Sequence, residues 1–295
     1  MSQIKSGIPR WGYLVRRGFT MTNLRPAFFI IGERKCATSS LYRYLLEHPQ
    51  VLPCRLKEPQ FFSKSLLHRL MFRQHYFALY PDQEAQEATI DWYVPEEQHG
   101  FSVQQLRFTR DPNLPCITGE ASANTFAQVP PKRLHTALPG VRLILCLRHP
   151  VDRAYAHYRM LERFAREGRR IAFRFTDFKT DFIEDFGRKH GGYFAQVSLY
   201  AKRLKAWAAV FGMERIELIR TEDLSDPAKA QDILDHLCAS LEIGRFDFSE
   251  ILQSKENVSG QAFSDSALRD ELMHYYAQDI LALESFTGRK FHWRS

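Results

Sequence analysis

The sequence predicts an α/β fold in three layers, with a central parallel sheet between layers of helices. Two observations carry this prediction. Two short segments, at 27–31 and 141–147, have the length and apolar content of buried strands, and a third strand is predicted at 215–220. Apolar residues at helical spacing lie between them, and strands that alternate with helices form parallel sheets.

The strand at 27–31 runs into a tight loop at Gly32, and a helix follows. Ser39 and Ser40 are the candidates for the cap of this helix, and Pro49 ends its periodic pattern. The predicted order is therefore strand, tight loop and helix.

The same order recurs further along the chain. The strand at 141–147 leads through a turn into a helix over 151–164 that begins near Asp152. A helix over 199–211 precedes the strand at 215–220.

Composition predicts a single large domain. The chain has 295 residues, of which 44% are apolar and 25% are charged, as is ordinary for one globular core. We divide it into an N-terminal extension at 1–26 and one domain at 27–295. Within that domain, the aromatic and polar segment 64–115 is predicted to be an irregular insertion on the acceptor side, which forms a lid or a substrate wall or has a structural role.

No apolar run is long enough to span a membrane, and the basic segment 1–20 lacks the apolar stretch of a signal peptide. We therefore expect a cytoplasmic protein without a membrane partner. The cysteines are odd in number and widely spaced, and they include no CxxC pair. This pattern indicates reduced thiols rather than a disulfide framework or a zinc site.

The formal net charge of +7 favours anionic partners. Charge alone does not separate nucleic acid from a nucleotide, a sulfated sugar or an anionic membrane. The positive charge is scattered, and its densest stretch, at 159–174, also contains glutamates, as a solvated helix face does.

The loop GERKCATSSL at 32–41 has the features of an anion site. The N-terminus of a helix presents unpaired backbone N–H groups and a positive dipole end, and this loop adds Lys35 and the hydroxyls at 38–40. The Walker pattern of nucleotide hydrolases is absent, because Lys35 lies too close to Gly32 and no Gly-Lys pair occurs. A kinase or a nucleotide hydrolase is therefore disfavoured.

This loop resembles the 5′-phosphosulfate loop of sulfotransferases that use 3′-phosphoadenosine 5′-phosphosulfate (PAPS), written Gly-x-x-Lys-x-Gly-Thr-[Ser/Thr]-[Ser/Thr]. The resemblance implies a P-loop-like sulfotransferase fold. Ala37 stands where the family has glycine. Because a left-handed backbone conformation strains alanine, we expect Ala37 to be helical.

A second segment, LRHPVDRAYAHY at 147–158, resembles the strand-turn-helix with which this family binds the 3′-phosphate of the nucleotide. Arg148 matches the family's arginine, and Ala156 replaces its serine. Loss of that hydroxyl is expected to weaken binding by about 0.5–1.5 kcal/mol, while the guanidinium still supplies the charge. The donor contacts implied by the resemblance are Gly32, Arg34, Lys35, Cys36, Ala37, Thr38, Ser39, Ser40, Arg148, Ala156 and Lys255.

Further segments resemble the heparan-type and bacterial carbohydrate sulfotransferases, so the resemblance covers nearly the whole chain from Ala27. They are KEPQFF at 57–62, DWY at 91–93, GEAS at 119–122, the helix at 199–211, EDL at 222–224 and TGRKFHW at 287–293.

The resemblance implies that Glu58 is the general base and that Lys35 stabilises the leaving group. The alternative for Glu58 is a structural, ion-paired carboxylate, and His75 and His157 are weaker candidates for the base. Gln60 stands where the family often has histidine, so Glu58 is expected to lack a neighbour that accepts a proton.

Candidate acceptor contacts come from the segments between the two donor motifs. We predict no metal, because the scheme requires none and no compact metal-ligand spacing occurs. The candidate acceptor contacts are Lys57, Trp92, Tyr93, Glu120 and His75, with Phe72, Tyr76 and Tyr80 as further aromatic candidates.

The leading hypothesis is an enzyme that transfers a sulfuryl group from PAPS to a hydroxyl of a carbohydrate or another metabolite by in-line displacement, releasing 3′-phosphoadenosine 5′-phosphate (PAP). One alternative is a natural-product O- or N-sulfotransferase that acts on a small-molecule hydroxyl or amine. A second is a non-catalytic nucleotide- or nucleic-acid-binding protein on the same fold, which Ala37 and Ala156 favour. The expected partner is a small-molecule or saccharide acceptor, with no nucleic acid and no membrane.

Overall fold

The structure is a computed structural model that describes residues 23–95, 101–169, 171, 173–253 and 263–293. Five parallel strands form its central sheet in the order β2-β5-β1-β6-β7, and β3 and β4 form a separate antiparallel hairpin. The strands are β1 Pro26–Gly32, β2 Val51–Pro53, β3 Glu87–Pro95, β4 Phe101–Thr109, β5 Ile117–Ala121, β6 Arg142–Leu147 and β7 Ile216–Arg220.

Helices connect these strands and follow the last of them. Within the described residues, no helix is both long and apolar enough to cross a bilayer. The helices are α1 Thr38–Leu46, α2 Leu66–Phe77, α3 Thr125–Gln128, α4 Pro131–Ala137, α5 Pro150–Arg166, α6 Glu184–Gly187, α7 Tyr193–Val197, α8 Ala201–Phe211, α9 Pro227–Ser240, α10 Ser249–Gln253, α11 Ser266–Met273 and α12 Ala277–Thr287.

The two faces of the sheet are covered by different helices. Alternate residues of a strand point to opposite faces, and in β1 Phe28 and Ile30 pack in one core with α1 and α9. Phe29 and Ile31 pack in the other core with α4, α5, α8 and α12. The predicted three-layer arrangement with a central parallel sheet is therefore confirmed.

The three predicted strands are confirmed as β1, β6 and β7, with small shifts at their ends. Two further strands of the central sheet were not predicted. β2 has only three residues, which is too short to show a pattern. β5 contains Gly119 and the charged residue Glu120, so it does not look like a buried strand, although four of its five residues are buried.

The segment 64–115 is not irregular as expected, because α2, β3 and β4 occupy most of it. Its role on the acceptor side stays a prediction. Ile90 and Phe108 of the hairpin pack into the core beside α1. Thr89 and Arg107, which pair across the hairpin, are exposed. Because only one face of the hairpin is buried, its apolar residues are too sparse to stand out in the sequence.

The start of α1 also differs from the prediction. Ser39 and Ser40 lie inside the first turn, and the N-cap is Ala37, with φ 58° and ψ 23° and no side-chain hydrogen bond. The expectation that Ala37 is helical is therefore wrong. Its carbonyl accepts from the N–H of Leu41 at 3.0 Å and so opens the helix, while the left-handed backbone costs about 1–2 kcal/mol.

The carboxyl ends of β2, β5, β1 and β6 lie side by side at one edge of the sheet. Ligands of open α/β sheets bind at this edge. Glu58 follows β2, Ser122 follows β5, the loop at 32–37 follows β1, and Arg148 follows β6. The fold therefore brings both halves of the predicted site to the same edge.

Candidate active site

The loop between β1 and α1 is fixed against both neighbouring strands. The N–H of Glu33 donates to the carbonyl of Cys146 on β6 at 2.8 Å, and the N–H of Cys36 donates to the carbonyl of Glu33 at 3.1 Å. A Cβ atom on Gly32 would lie 2.9 Å from the carbonyl oxygen of Ala123, just beyond β5. Only glycine fits there, so the loop lies close to the sheet.

The first turn of α1 provides hydrogen-bond donors for an anion. No side chain caps this helix, and the first N–H groups of a helix have no acceptor within it. They also lie at the positive end of the helix dipole. The side chains that accompany them are Thr38, which is buried, and Ser39 and Ser40, which are half-buried.

Two cations of the predicted donor site lie beside each other. Arg148 is 7% exposed, and its Nη1 donates to the carbonyl of Lys35 at 3.4 Å. Burial lowers the pKa of Lys35 from its usual value, and the charges of Arg148 and Arg163 lower it further. An anion bound beside these groups would offset that repulsion, so the loop favours phosphate or sulfate over a neutral ligand.

Cys36 contributes less than predicted. Its side chain is fully buried, and burial raises the pKa of the thiol to about 12. Its N–H is already bonded to Glu33 within the loop. The structure therefore leaves Cys36 without a donor group for the predicted contact.

A cluster of buried polar side chains lies beneath this loop. Glu33 is 1% exposed, and burial raises the pKa of its carboxyl, with Arg153 as the main opposing charge. Arg153 has no exposed surface and donates to Nδ1 of His157 at 2.8 Å and to Oγ of Ser198 at 3.4 Å. No sequence signal indicates this cluster, because charged residues in a helical pattern are usually solvated.

His157 lies between two guanidinium groups. Its Nε2 is 3.2 Å from Nη1 of Arg34, and its Nδ1 is 2.8 Å from Nη2 of Arg153. Burial, with the charges of Arg153, Arg34 and Lys35, lowers its pKa to about 2. A neutral imidazole has one acceptor nitrogen, and the shorter contact assigns it to Nδ1. His157 therefore does not suit the role of base, because both of its ring nitrogens contact guanidinium groups and its pKa is lowered.

Segments from the end of the chain hold the turn after β6. The hydroxyl of Tyr200 donates to the carbonyl of Arg148 at 3.0 Å. The N–H of His149 donates to Oε1 of Glu222 at 2.8 Å, and Nε1 of Trp293 donates to Oε2 of Glu222 at 3.3 Å. The EDL and C-terminal segments therefore position the predicted phosphate arginine.

The structure gives no support to the predicted donor contacts of Ala156 and Lys255. Ala156 is on α5, is 9% exposed, and offers only a methyl group. Lys255 lies outside the described residues.

Glu58 accepts a hydrogen bond from the neutral amide of Gln60. Glu58 is half-buried and has a left-handed backbone, with φ 54°. Nε2 of Gln60 donates to Oε2 of Glu58 at 3.3 Å, and the N–H of Gln60 donates to Oγ of Ser122 at 3.1 Å. Gln60 therefore supports the carboxylate, although it cannot accept a proton as histidine can. Among the described residues Glu58 takes part in no ion pair, which disfavours the structural alternative.

Lys57, which precedes Glu58 in the chain, contacts Trp92. Nζ of Lys57 is 4.4 Å from the centroid of the Trp92 ring, and this ring stacks on Tyr42 at 6.3 Å. Burial lowers the pKa of Lys57, and the charge of Glu58 raises it. Tyr93 pairs with Val103 in the hairpin, and its side chain lies outside the described part of the protein.

Glu120 has no exposed surface. The hydroxyls of Tyr76 and Tyr80 donate to its Oε2 at 2.7 and 2.6 Å, and Oγ of Ser122 donates to its Oε1 at 2.5 Å. Burial raises the pKa of Glu120. The acceptor contacts predicted for Glu120, Tyr76 and Tyr80 do not fit this arrangement, because these groups satisfy one another inside the protein. They instead position Ser122 and, through it, Gln60.

His75 and Phe72 lie on α2, and both side chains are half-buried, with ring centroids 5.7 Å apart. They keep some surface available for the predicted acceptor contacts. In the part of the chain that the structure describes, no group of three or more His, Cys, Asp or Glu side chains is arranged to hold a metal ion.

Comparison with known proteins tests the resemblance. The family model described as "Sulfotransferase family" matches residues 26–244. "Carbohydrate sulfotransferase 15" of Homo sapiens is 26% identical over 256 residues, covering 74% of this chain and 45% of that protein. "Bifunctional heparan sulfate N-deacetylase/N-sulfotransferase 3" of Homo sapiens is 31% identical over 139 residues, covering 45% of this chain and 13% of that protein. The chain spans about half the length, or less, of these relatives.

A solved sulfotransferase from Alicyclobacillus acidocaldarius shares the fold. Its TM-score is 0.62 at 23% identity, and the alignment covers 92% of this chain and 99% of that one. The P-loop-like fold implied by the resemblance is therefore confirmed. The family match includes both the loop after β1 and the turn that carries Arg148, and the chain belongs to the sulfotransferase family.

Proposed function

We propose that this protein transfers a sulfuryl group from PAPS to a hydroxyl of a saccharide or another metabolite. The arrangement at the carboxyl edge of the sheet carries the proposal: Glu58 follows β2, and the cations Lys35 and Arg148 follow β1 and β6. Sulfuryl transfer, like phosphoryl transfer, requires a proton acceptor at the attacking oxygen and positive charge at the leaving phosphate. This edge supplies both.

The residues of the loop fit PAPS. Gly32 keeps the backbone close to the sheet, where a Cβ atom would meet Ala123. Arg34, Lys35, Arg148 and the uncapped start of α1 would hold its phosphates. Bound PAPS supplies the sulfuryl group together with a phosphate leaving group.

Lys35 neutralises the charge that develops on the leaving phosphate. The neighbouring Arg148 helps to lower its pKa, so an anion relieves a repulsion that exists before binding. The loop that carries Lys35 is braced by Glu33 and Arg153, both buried. Donors that are fixed in advance need no reorganisation when charge develops.

Glu58 accepts the proton of the attacking hydroxyl. Gln60 donates to Oε2 of Glu58, which leaves Oε1 to receive the proton. The half-buried position keeps the carboxylate accessible to an acceptor while the surrounding residues orient it.

The printed names of the relatives favour a saccharide acceptor, since they refer to carbohydrate and to heparan sulfate. Lys57 beside Glu58 offers a cation to an anionic sugar. A small-molecule hydroxyl or amine is the second candidate, favoured by the half-buried rings of Phe72 and His75 on α2.

The direct test incubates the purified protein with PAPS and saccharide, phenol, alcohol and amine acceptors, and uses mass spectrometry to detect one added sulfuryl group. Glu58→Gln is expected to lower kcat by about 10²- to 10⁴-fold. Stabilisation by PAP in a thermal-shift assay should persist in this variant, because Glu58 lies outside the donor loop.

Glu84→Gln, at an exposed glutamate, is the matched control and should change neither kcat nor PAP binding. A wild-type protein that binds PAP but modifies no acceptor would favour a non-catalytic nucleotide-binding protein. A wild-type protein that PAP does not stabilise would reject the proposed donor.

A further inference from the structure

The first two turns of α2 have the reverse of the usual polarity. A surface helix normally turns its apolar residues toward the core and its charged residues toward water. Here His68 and Arg69 are half-buried, while four apolar side chains on the other side of the helix are exposed. This α2 apolar face consists of Leu66, Leu67, Leu70 and Met71, which are 62, 67, 68 and 60% exposed.

The α2 apolar face is held on a rigid support. The helix has a non-helical residue at Phe72, with φ −111°, and the apolar face lies entirely before it. Beyond it, Tyr76 is buried, stacks on Phe61 at 4.3 Å and donates to Glu120 at 2.7 Å. The carboxyl-terminal half of α2 therefore packs in the core, and the leucines of its amino-terminal half are exposed to solvent.

The stretch of chain that carries this face is basic. The chain has no acidic residue between Glu58 and Asp82, and this stretch contains Lys64, Arg69 and Arg73. Arg73 is exposed on α2 itself, and Lys64 is half-buried just before it. Exposed leucines accompanied by cations are the composition of helices that lie in the interface of anionic membranes.

We propose that the α2 apolar face docks on the surface of an anionic phospholipid bilayer. Charge complementarity selects this occupant. A second copy of the chain would bring the same cations to the contact. The segment 1–22 would also bring positive charge, since it has no acidic residue and contains Lys5, Arg10, Arg16 and Arg17. Anionic headgroups bring the opposite charge, and the acyl region takes up the leucines.

Docking of this kind is peripheral and differs from crossing the bilayer, for which no described helix is suited. It revises the expectation that the protein has no membrane partner. It does not depend on sulfuryl transfer, because α2 and its exposed residues are present whatever the site does. Glu58 lies shortly before α2 in the chain, so docking would bring the carboxyl edge of the sheet close to the bilayer surface.

The test is co-sedimentation of the full chain with vesicles of phosphatidylcholine alone or mixed with phosphatidylglycerol. The protein is expected to bind the mixed vesicles at about 0.1 M salt and to bind less at about 1 M, where charges are screened within about 3 Å. Arg73→Gln is expected to weaken binding to the mixed vesicles about fivefold.

Leu67→Ser with Leu70→Ser is expected to lower the partition coefficient about tenfold or more, because two leucines no longer enter the apolar region. The matched control is Leu114→Ser with Leu281→Ser, two leucines that are 38 and 46% exposed elsewhere. This control should bind like the wild type. All four positions are exposed, so both double variants are expected to fold, which circular dichroism checks.

Three results would overturn the proposal: no binding to either vesicle, equal binding to both, or unchanged binding of the Leu67→Ser and Leu70→Ser variant. Analytical ultracentrifugation distinguishes the second copy as occupant. A dimer that the double variant abolishes, without vesicle binding, would assign the face to self-association instead.

Discussion

The site has two parts, one after strands β1 and β6 and one after strands β2 and β5, and different interactions stabilise them. Beneath the β1 and β6 part lie Glu33, Arg153 and His157, each at most 1% exposed. In the β2 and β5 part, Glu58 is half-exposed and held by the neutral amide of Gln60. A binding loop gains from charges that are fixed in advance, whereas a proton acceptor must reach its partner. Four variants test this contrast, from the largest expected effect to the smallest.

Arg153→Met should be the most destabilising of these changes. It removes the main positive charge that opposes ionisation of the buried Glu33. It also removes the hydrogen bonds to His157 and Ser198, and each buried partner left unsatisfied costs about 1–3 kcal/mol of unfolding free energy, as urea denaturation would measure. The control is Arg166→Met on the same helix, whose pair with Glu162 is exposed, and it should cost less than about 1 kcal/mol. Equal costs for the two variants would mean that the buried cluster does not brace the loop.

Lys35→Ala should lower kcat about 10²- to 10³-fold, because one fixed donor to the leaving group is lost. Unfolding free energy should change little, since burial and Arg148 already disfavour the charged lysine in the folded protein. Lys202→Ala, at an exposed lysine, should retain wild-type kcat in the same mass-spectrometric assay. A Lys35→Ala variant with near-normal kcat would place the charge stabilisation elsewhere.

Glu120→Gln should destabilise the folded protein by about 1–3 kcal/mol, since an NH₂ group replaces one of the two oxygens that accept from three hydroxyls. The pKa of Glu120 is raised above its usual 4.5 in the folded protein. Its stabilising contribution is therefore complete below pH 4.5 and is lost as the pH rises through the folded-state pKa. Urea denaturation at several pH values should show that the cost of the substitution shrinks as pH rises, and growth of the cost would contradict this.

Ala37→Gly should have the smallest effect and the opposite sign. Glycine relieves the left-handed backbone at φ 58°, so the unfolding free energy should rise by up to about 1 kcal/mol. Ala208→Gly, inside helix α8, should lower it by about 1 kcal/mol. Thermal denaturation measures both, and a loss of stability in Ala37→Gly would show that the loop does not strain this residue.

The part of the site that binds the donor was predictable because its residues lie close together in the sequence. β1, the loop with Lys35, and α1 are consecutive, and the same order around Arg148 repeats it. An anion site of this kind needs only a strand, a turn and a helix start. The acceptor half was less predictable, because β2, β5 and the hairpin are short or half-exposed, and their burial depends on distant neighbours.

The burial of charged side chains was the feature least predictable from the sequence. Arg153 and His157 follow the helical pattern of α5 and look like residues of a solvated face, yet both are buried beneath a loop about 120 positions away in the chain. Glu120 was likewise predicted to contact the acceptor, but in the structure it is buried and accepts hydrogen bonds from Tyr76 and Tyr80. Whether a charged group binds a ligand or braces the protein depends on which surfaces the fold covers.

The sequence by itself determined the three-layer class, the anion loop after β1, Arg148 after β6, and the resemblance to the sulfotransferase family. These follow from hydrophobic periodicity and from motifs of a few residues. Only the tertiary structure decided that Ala37 turns left-handed, that Glu33 and Arg153 lie beneath the loop, and that α2 exposes its leucines. The reason is physical: burial, and with it the pKa and the role of each charged group, is set by contacts between segments far apart in the chain.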